Sequence, residues 1–221
     1  KLDGTYVGDF TSTLASGETG ICADLARNVY LGYSGDKKIR KFSADGTVLA
    51  TSAADVVTPY ALAWGADKLW VNFGDAAAAT KVMNFNADLT PAGYLRLWGL
   101  STMRGIVHTD LWGGNVFGAT FGNSAVWGFG TNNTNPKFWK AGVAKATDVK
   151  MIGSDLYVTS GYSDPAAYGV YKNGVRVISD VRPYGIAFDG NTLFVSSYYD
   201  GRIYTYDATT YVRTGTWVVT G

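Results

Sequence analysis

Residues 182–195 read RPYGIAFDGNTLFV, and the order of residue types within this segment indicates the architecture of the whole chain. Two short apolar runs, at 185–187 (GIA) and 193–195 (LFV), flank an Asp-Gly pair at 189–190. An Asp-Gly pair between β-branched and aromatic runs is a strong local signal for a hairpin turn. A third run of this kind follows at 203–206 (IYTY). The segment therefore predicts consecutive antiparallel strands joined by tight turns.

The same unit recurs about every 41 residues along the chain. Each copy has an inner run, a second run, a run ending in an aromatic residue and a fourth run after a turn. Four short strands in a repeat of this length are typical of one propeller blade. We therefore predict an all-β fold, a five-bladed β-propeller of four-stranded antiparallel blades; the alternative is a β-sandwich with accidental regularity. The single domain 1–221 divides into units of roughly 14–54, 55–100, 101–142, 143–180 and 181–221.

Both ends of the chain carry a run of the fourth type. Residues 1–13 contain one at 4–10 and are predicted to form an extra outer strand, and another lies at 216–219. One arrangement that a closed ring allows has the N-terminal strand complete the last blade and leaves the C-terminal strand free. A free outer strand is a template for pairing with another chain or with a second copy. The alternatives are local packing of the spare strand and a chain that is an excerpt of a longer protein.

Two segments carry a family resemblance. Residues 182–195 and residues 20–42 resemble the NHL/YVTN-type propeller repeat. The resemblance implies a propeller fold. It leaves the activity open, because such propellers host enzymes, receptors and structural proteins alike.

Composition and charge exclude several classes of protein. Lys and Arg total 19 and Asp and Glu total 18, a net charge of +1 that gives no electrostatic case for nucleic acid or for anionic membranes. No apolar run approaches the roughly 18–20 residues of a membrane-spanning helix, so membrane insertion is not expected. The one Cys and one His exclude an internal disulfide and any site that needs two histidines. No cofactor is expected.

The starts of the inner strands place polar and aromatic residues at one mouth of the predicted channel. Such a ring suits a small polar ligand or a sugar. The alternative is structural: Arg104, Asp148 and Arg182 pair with each other and hold the blades in register. The candidate ligand-binding residues are Glu18, Tyr60, Arg104, Asp148, Arg182 and Tyr184.

Glu18 is a candidate ligand for a catalytic metal ion. Residues 17–20 are similar to the start of the gluconolactonase/regucalcin family, which implies that Glu18 would bind a divalent metal that activates water. The family also implies Asn and Asp ligands on later inner strands, and of the equivalent positions only Asp148 would serve. His108 has no nucleophile signature beside it and is expected to be structural. We therefore expect no metal site and no catalytic residues.

The compartment is predicted to be extracellular or the cell surface. Residues 132–134 (NNT) form a glycosylation sequon, with Asn132 as the acceptor.

The aromatic residue at the second-strand position of each unit is expected to lie in the core. These residues are Tyr30, Trp70, Phe117, Tyr157 and Phe194.

The predicted function is a non-enzymatic extracellular module that binds other proteins or assembles with itself through its terminal strands. One alternative is a lectin-like propeller that binds glycans in Trp- and Tyr-lined pockets between the blades. The other is a metal-dependent, lactonase-like hydrolase centred on Glu18.

Overall fold

The computed structural model describes residues 8–10, 17–53, 58–73, 81–96, 102–110, 115–122, 125–130, 137–141, 143–162, 165–197 and 199–218. Within these ranges the chain forms twenty β-strands and one short 3-10 turn, Pro165–Ala167. No helix in the described part is long and apolar enough to cross a membrane.

The twenty strands form five antiparallel sheets, each made of four strands that are consecutive in the chain. Blade one contains β1 (Glu18–Ala23), β2 (Val29–Tyr33), β3 (Lys38–Phe42) and β4 (Val48–Thr51). Blade two contains β5 (Pro59–Gly65), β6 (Lys68–Phe73), β7 (Lys81–Phe85) and β8 (Pro91–Arg96). Blade three contains β9 (Met103–Thr109), β10 (Asn115–Thr120), β11 (Ala125–Gly130) and β12 (Lys137–Ala141). Blade four contains β13 (Ala146–Ile152), β14 (Asp155–Ser160), β15 (Gly169–Lys172) and β16 (Val175–Ile178). Blade five contains β17 (Pro183–Phe188), β18 (Thr192–Ser197), β19 (Arg202–Asp207) and β20 (Arg213–Val218).

The five sheets are the blades of a β-propeller. The inner strands β1, β5, β9, β13 and β17 contact one another in chain order, and residues from all five line a central cavity. The predicted all-β, five-bladed propeller is confirmed, and the β-sandwich alternative is wrong.

The core lies between neighbouring blades. Tyr30 of blade one packs with Leu62 of blade two, and Trp70 of blade two packs with Ile106 of blade three. Full burial of a large apolar side chain contributes about 1.5–3 kcal/mol, so these rows hold the blades face to face. The predicted core aromatics of blades one to four are buried, whereas Phe194 of blade five is half-buried.

Two glycines allow the inner strands to approach closely. A Cβ atom at Gly20 would lie 2.8 Å from the Cα of Ala61, and one at Gly105 would lie 2.5 Å from the Cα of Asp148. Real Cβ atoms do not come this close to backbone, so glycine is required for this packing of blade one on blade two and of blade three on blade four.

The C-terminal strand belongs to its own blade. Residues 213–218 pair with β19, with Trp217 opposite Ile203, and complete blade five. The arrangement in which the N-terminal strand completes this blade and leaves the C-terminal strand free is therefore wrong. Residues 1–7 and 11–16 lie outside the described residues, as does Asn132. In the short described segment 8–10, the ring of Phe10 lies 5.8 Å from that of Phe42.

Candidate functional site

The central cavity has a volume of about 310 Å³ and opens where the inner strands begin. In an antiparallel blade, the start of the inner strand lies at the same edge as the end of the second strand, so each blade brings both to this mouth. The polar and aromatic side chains that line the cavity include Tyr60, Arg104, Thr147, Asp148, Tyr184 and Ser196.

Arg104 joins two tyrosines across the channel. Its Nη1 donates hydrogen bonds to Tyr60 Oη at 2.6 Å and to Tyr184 Oη at 3.2 Å, and the two hydroxyls also bond to each other. Burial and the hydrogen bond with Tyr184 raise the pKa of Tyr60 to about 12, so its phenol stays neutral. The network ties together blades two, three and five.

Asp148 joins blade four to blade five. Its Oδ1 accepts a hydrogen bond from the backbone N–H of Val149 at 2.8 Å, and its Oδ2 accepts one from the N–H of Ile186 at 3.0 Å. Burial raises the pKa of this carboxyl to about 6, although both hydrogen bonds and Lys150 oppose the shift. The carboxyl therefore titrates just below neutral pH.

Arg182 and Glu18 lie outside the lining of this cavity. Arg182 Nε donates to the carbonyl of Gly161 at 2.6 Å. Glu18 is exposed at the start of β1, opposite Tyr33. The structure thus unites Tyr60, Arg104 and Tyr184 at the mouth, with Asp148 in the same cavity. The expected pairing of Arg104, Asp148 and Arg182 with one another is wrong, because each has a different partner.

The described residues contain no group of three or more His, Cys, Asp and Glu side chains placed to hold a metal ion. His108 stacks on Trp70 with ring centroids 5.9 Å apart, and burial lowers its pKa. Cys22 packs against the apolar cluster around Tyr30, and burial raises the pKa of its thiol to about 12. Both residues contribute to packing in this structure.

A set of residues that the sequence analysis missed surrounds the mouth. The guanidinium of Arg104 lies 4.6 Å from the ring of Phe121 and 5.9 Å from that of Tyr162. The guanidinium of Arg182 lies 5.0 Å from the ring of Tyr168 and 4.7 Å from that of Tyr199. We call this surface the cation–aromatic face. It combines the predicted residues Tyr60, Arg104, Arg182 and Tyr184 with the missed residues Phe121, Lys145, Tyr162, Tyr168 and Tyr199.

A regular signal could have found three of these residues. Phe121, Tyr162 and Tyr199 each follow the second strand of their blade within two residues, where the chain returns to the mouth. Tyr162 is 41% exposed and Tyr199 is 77% exposed, so the face presents aromatic surface to solvent.

No protein-family model matches the chain, and no curated protein matches it in sequence. Solved structures match it in fold. A chain of the nidogen–laminin complex superposes with a TM-score of 0.79 at 15% identity, over 91% of this chain and 80% of that one. Streptogramin B lyase superposes with a TM-score of 0.69 at 13% identity, over 98% of this chain and 74% of the lyase. The chain is a β-propeller.

A catalytically inactive virginiamycin B lyase from Staphylococcus aureus, with quinupristin, superposes with a TM-score of 0.61 at 14% identity, over 81% of this propeller and 62% of the lyase. The structural neighbours of this propeller thus include a member of a protein–protein complex and enzymes. At these identities the similarity shows the fold alone.

Proposed function

We propose that this propeller is a non-enzymatic extracellular module that binds another protein through its cation–aromatic face. One observation carries the proposal: Arg104 and Arg182 each lie against several aromatic rings, and Tyr162 and Tyr199 remain exposed beside them. Tyr, Trp and Arg dominate the energetic centres of protein interfaces. The match to a chain of the nidogen–laminin complex supports this use of the fold. The sequon at Asn132 supports the extracellular location.

The polar groups in the channel support a structural role there rather than catalysis. Arg104 bonds to two phenols, and Asp148 accepts bonds from two backbone N–H groups. These bonds join blades two, three and five through Arg104 and blades four and five through Asp148, and so help to hold the blades in register. A protein partner can use the exposed rings without breaking these bonds.

The same contacts favour a protein over a glycan as the partner. A sugar stacks on a free aromatic face, whereas Arg182 already lies over the rings of Tyr168 and Tyr199, and Arg104 over those of Phe121 and Tyr162. Guanidinium–aromatic pairs of this kind form rigid surfaces that suit a peptide or protein.

The terminal strands offer no special surface for self-assembly among the described residues. β20 is the outer strand of blade five, just as β4, β8, β12 and β16 are the outer strands of their blades. The open edge of β20 is therefore one of five equivalent edges. This equivalence favours a different protein, rather than a second copy, as the partner.

Site-specific photo-crosslinking tests the proposal. The full chain carries p-benzoylphenylalanine in place of Tyr199 and is irradiated with the extracellular proteins of its native host; Tyr94, which is exposed on β8, is replaced in the control. We expect a protein adduct from position 199 that is absent from position 94 and is lost in Arg182→Ala. Equal adducts from both positions, or binding to a glycan array with no protein adduct, would contradict the proposal.

A further inference from the structure

Arg104 lines the central cavity and has no carboxylate partner among the described residues. Its guanidinium lies 4.6 Å from the centre of the Phe121 ring and 5.2 Å from that of Tyr60. Within the described part of the chain, Nη1 alone forms hydrogen bonds, to the hydroxyls of Tyr60 and Tyr184. Nε is buried and has no hydrogen-bond partner there. The N–H groups of Nε and Nη2 therefore lack an acceptor.

Two arginines elsewhere in the chain combine aromatic contacts with a carboxylate. Arg40 lies 4.5 Å from the centre of the Tyr33 ring and pairs with Asp36. Arg213 also lies against a tyrosine ring, and its Nη2 is 2.6 Å from Oδ2 of Asp180. A cation that is partly removed from water is costly unless an anion compensates it. The arginine of the cavity has the rings but lacks the carboxylate, so a carboxylate from a ligand would complete the same arrangement.

The cavity has a polar part and an apolar part. Arg104 and Ile106 are two residues apart on β9, and Tyr60 and Leu62 are two residues apart on β5, so each strand presents both side chains to the cavity. The polar pair lies at the mouth and the apolar pair lies roughly 7 Å deeper. The volume of about 310 Å³ lies within the range of roughly 300–1,000 Å³ for small-molecule sites.

Asp148 is the acidic residue among those that line this cavity. Its Oδ1 lies 2.8 Å from the place of a Cβ on Gly105, beside the strand that carries Arg104. Both carboxylate oxygens accept hydrogen bonds from backbone N–H groups of blades four and five. A ligand with a second carboxylate would bring two anions together in the cavity, which like charges oppose. This arrangement favours a ligand with one carboxylate.

We propose that the central cavity binds a small monocarboxylic acid with a short aliphatic chain. Its carboxylate accepts hydrogen bonds from Arg104, and its hydrocarbon chain packs on Leu62 and Ile106. Charge-assisted hydrogen bonds of this kind are stronger than neutral ones. Nη1 keeps its bonds to the two phenols, so the blades stay joined. The proposal goes beyond the function proposed above, because it assigns a small molecule to the channel, whereas the protein partner contacts rings outside it.

An NMR titration of the full chain with sodium butanoate tests the proposal. The isoleucine methyl groups are ¹³C-labelled and the arginine side chains are ¹⁵N-labelled. We expect saturable shifts of the Ile106 methyl and of the Arg104 Nε–H signal, with half-saturation below about 10 mM. The methyl signals of Ile39 and Ile178, which are buried elsewhere, are expected to stay in place. Sodium chloride at equal ionic strength is the control and is expected to shift neither signal.

Three related probes test the chemistry of the ligand. Butan-1-ol has no charge, succinate has a second carboxylate, and butan-1-amine has a positive charge. Each is expected to bind at least about tenfold more weakly than butanoate. Equal binding of butan-1-ol or of succinate would overturn the proposal. Tighter binding of butan-1-amine would also overturn it, because it would assign the cavity to a cation beside Asp148.

Variants of Arg104 locate the carboxylate. Arg104→Met removes the positive charge and is expected to weaken butanoate binding at least about tenfold, whereas Arg104→Lys keeps the charge and is expected to lose less. Both variants lose the hydrogen bonds of the guanidinium, so their difference reports the charge. Arg176→Met is the matched control, because Arg176 is exposed on β16 and bonds to the carbonyls of Ala166 and Tyr168. It is expected to bind butanoate as the unmodified chain does.

Three further outcomes overturn the proposal. The first is no shift of the Ile106 methyl at about 50 mM butanoate. The second is an Arg104 Nε–H signal that stays in place while other signals shift; this result needs only the unmodified chain and so holds even if the variants do not fold. The third is equal binding by Arg104→Met. Tyr199 and Arg182 do not line the cavity, so the crosslinking experiment fails or succeeds separately.

Discussion

Asp148 links the stability of the propeller to pH through one carboxyl group. Its pKa in the folded chain is raised by burial to about 6, from an ordinary value of 3.8. A raised pKa means that the group favours the folded state most below pH 3.8. That contribution is lost as the pH rises through about 6, and its size is up to about 3 kcal/mol.

We therefore expect the free energy of unfolding of the unmodified chain, relative to that of Asp148→Asn, to fall as the pH rises from about 4 to about 7. Urea unfolding at several pH values measures it. Asp45→Asn is the control with the opposite sign: hydrogen bonds from Ser43 and from the N–H of Thr47 lower the pKa of Asp45, so its contribution is lost on acidification. A pH-independent difference for Asp148→Asn would show that the carboxyl is not desolvated.

The glycines of the inner strands are expected to differ sharply in their tolerance of a side chain. Gly105→Ala places a Cβ against the backbone of Asp148, and we expect a loss of about 1–3 kcal/mol of unfolding free energy from overpacking. Gly185→Ala meets only a serine hydroxyl and a carboxylate oxygen, so we expect a change below about 1 kcal/mol. Thermal and urea unfolding compare the two variants. Equal losses would show that blade five has a close neighbour after all.

At the scale of the strand, the sequence predicted the features that depend on neighbouring residues in the chain, namely the turns and the buried aromatic positions. The Asp-Gly and Asn-Gly pairs at 45–46, 173–174, 189–190 and 200–201 mark turns, because a left-handed glycine fits them, and Gly46, Gly174, Gly190 and Gly201 all have positive φ. The aromatic residue that ends the third run of each unit is buried in four units, at Phe42, Phe85, Phe129 and Tyr206, and half-buried in the fourth unit, at Tyr171.

Patterns of neighbouring residues could not predict the contacts between blades. Tyr60 and Tyr184 are 124 residues apart, and nothing local indicates that their hydroxyls meet at Arg104. The neighbours of Arg182 were missed for a similar reason, since Gly161 and Tyr199 come from loops of different blades. Ile21 has the same residue pattern as Ile106, so its exposure follows only from its place in the ring.

The hydrogen bond between Tyr60 on β5 and Tyr184 on β17 crosses the channel and gives a prediction at the scale of the strands. Tyr60→Phe and Tyr184→Phe each remove one hydroxyl of the Arg104 network. We expect each to cost about 1 kcal/mol, with a coupling of about 0.5–1.5 kcal/mol in the double-mutant cycle. Tyr171→Phe is the matched control, because its hydroxyl bonds only to the carbonyl of Ala167 in its own blade. The double-mutant cycle of Tyr171→Phe with Tyr184→Phe should show no coupling. Equal coupling energies in the two cycles would show that the Arg104 network is not the cause of the coupling.

Among the described residues of the whole molecule, the packing is uneven: Ile21 of blade one is 67% exposed and Phe194 of blade five is half-buried, whereas the equivalent Ile106 and Phe117 of blade three are buried. Inner strand β9 of blade three is mostly buried, whereas β1 alternates between exposed and half-buried residues. Local opening needs less free energy where fewer apolar contacts must be broken. Blade one and blade five are therefore expected to open independently of the middle of the propeller.

Native-state hydrogen exchange checks this expectation. We predict that the backbone amides of β1 and β2 exchange through an opening whose free energy is below that of global unfolding, whereas those of β9 and β10 exchange only through global unfolding. Blade five should behave as blade one does, with β18 less protected than β10. Uniform protection of all five blades would mean that the propeller unfolds as one unit.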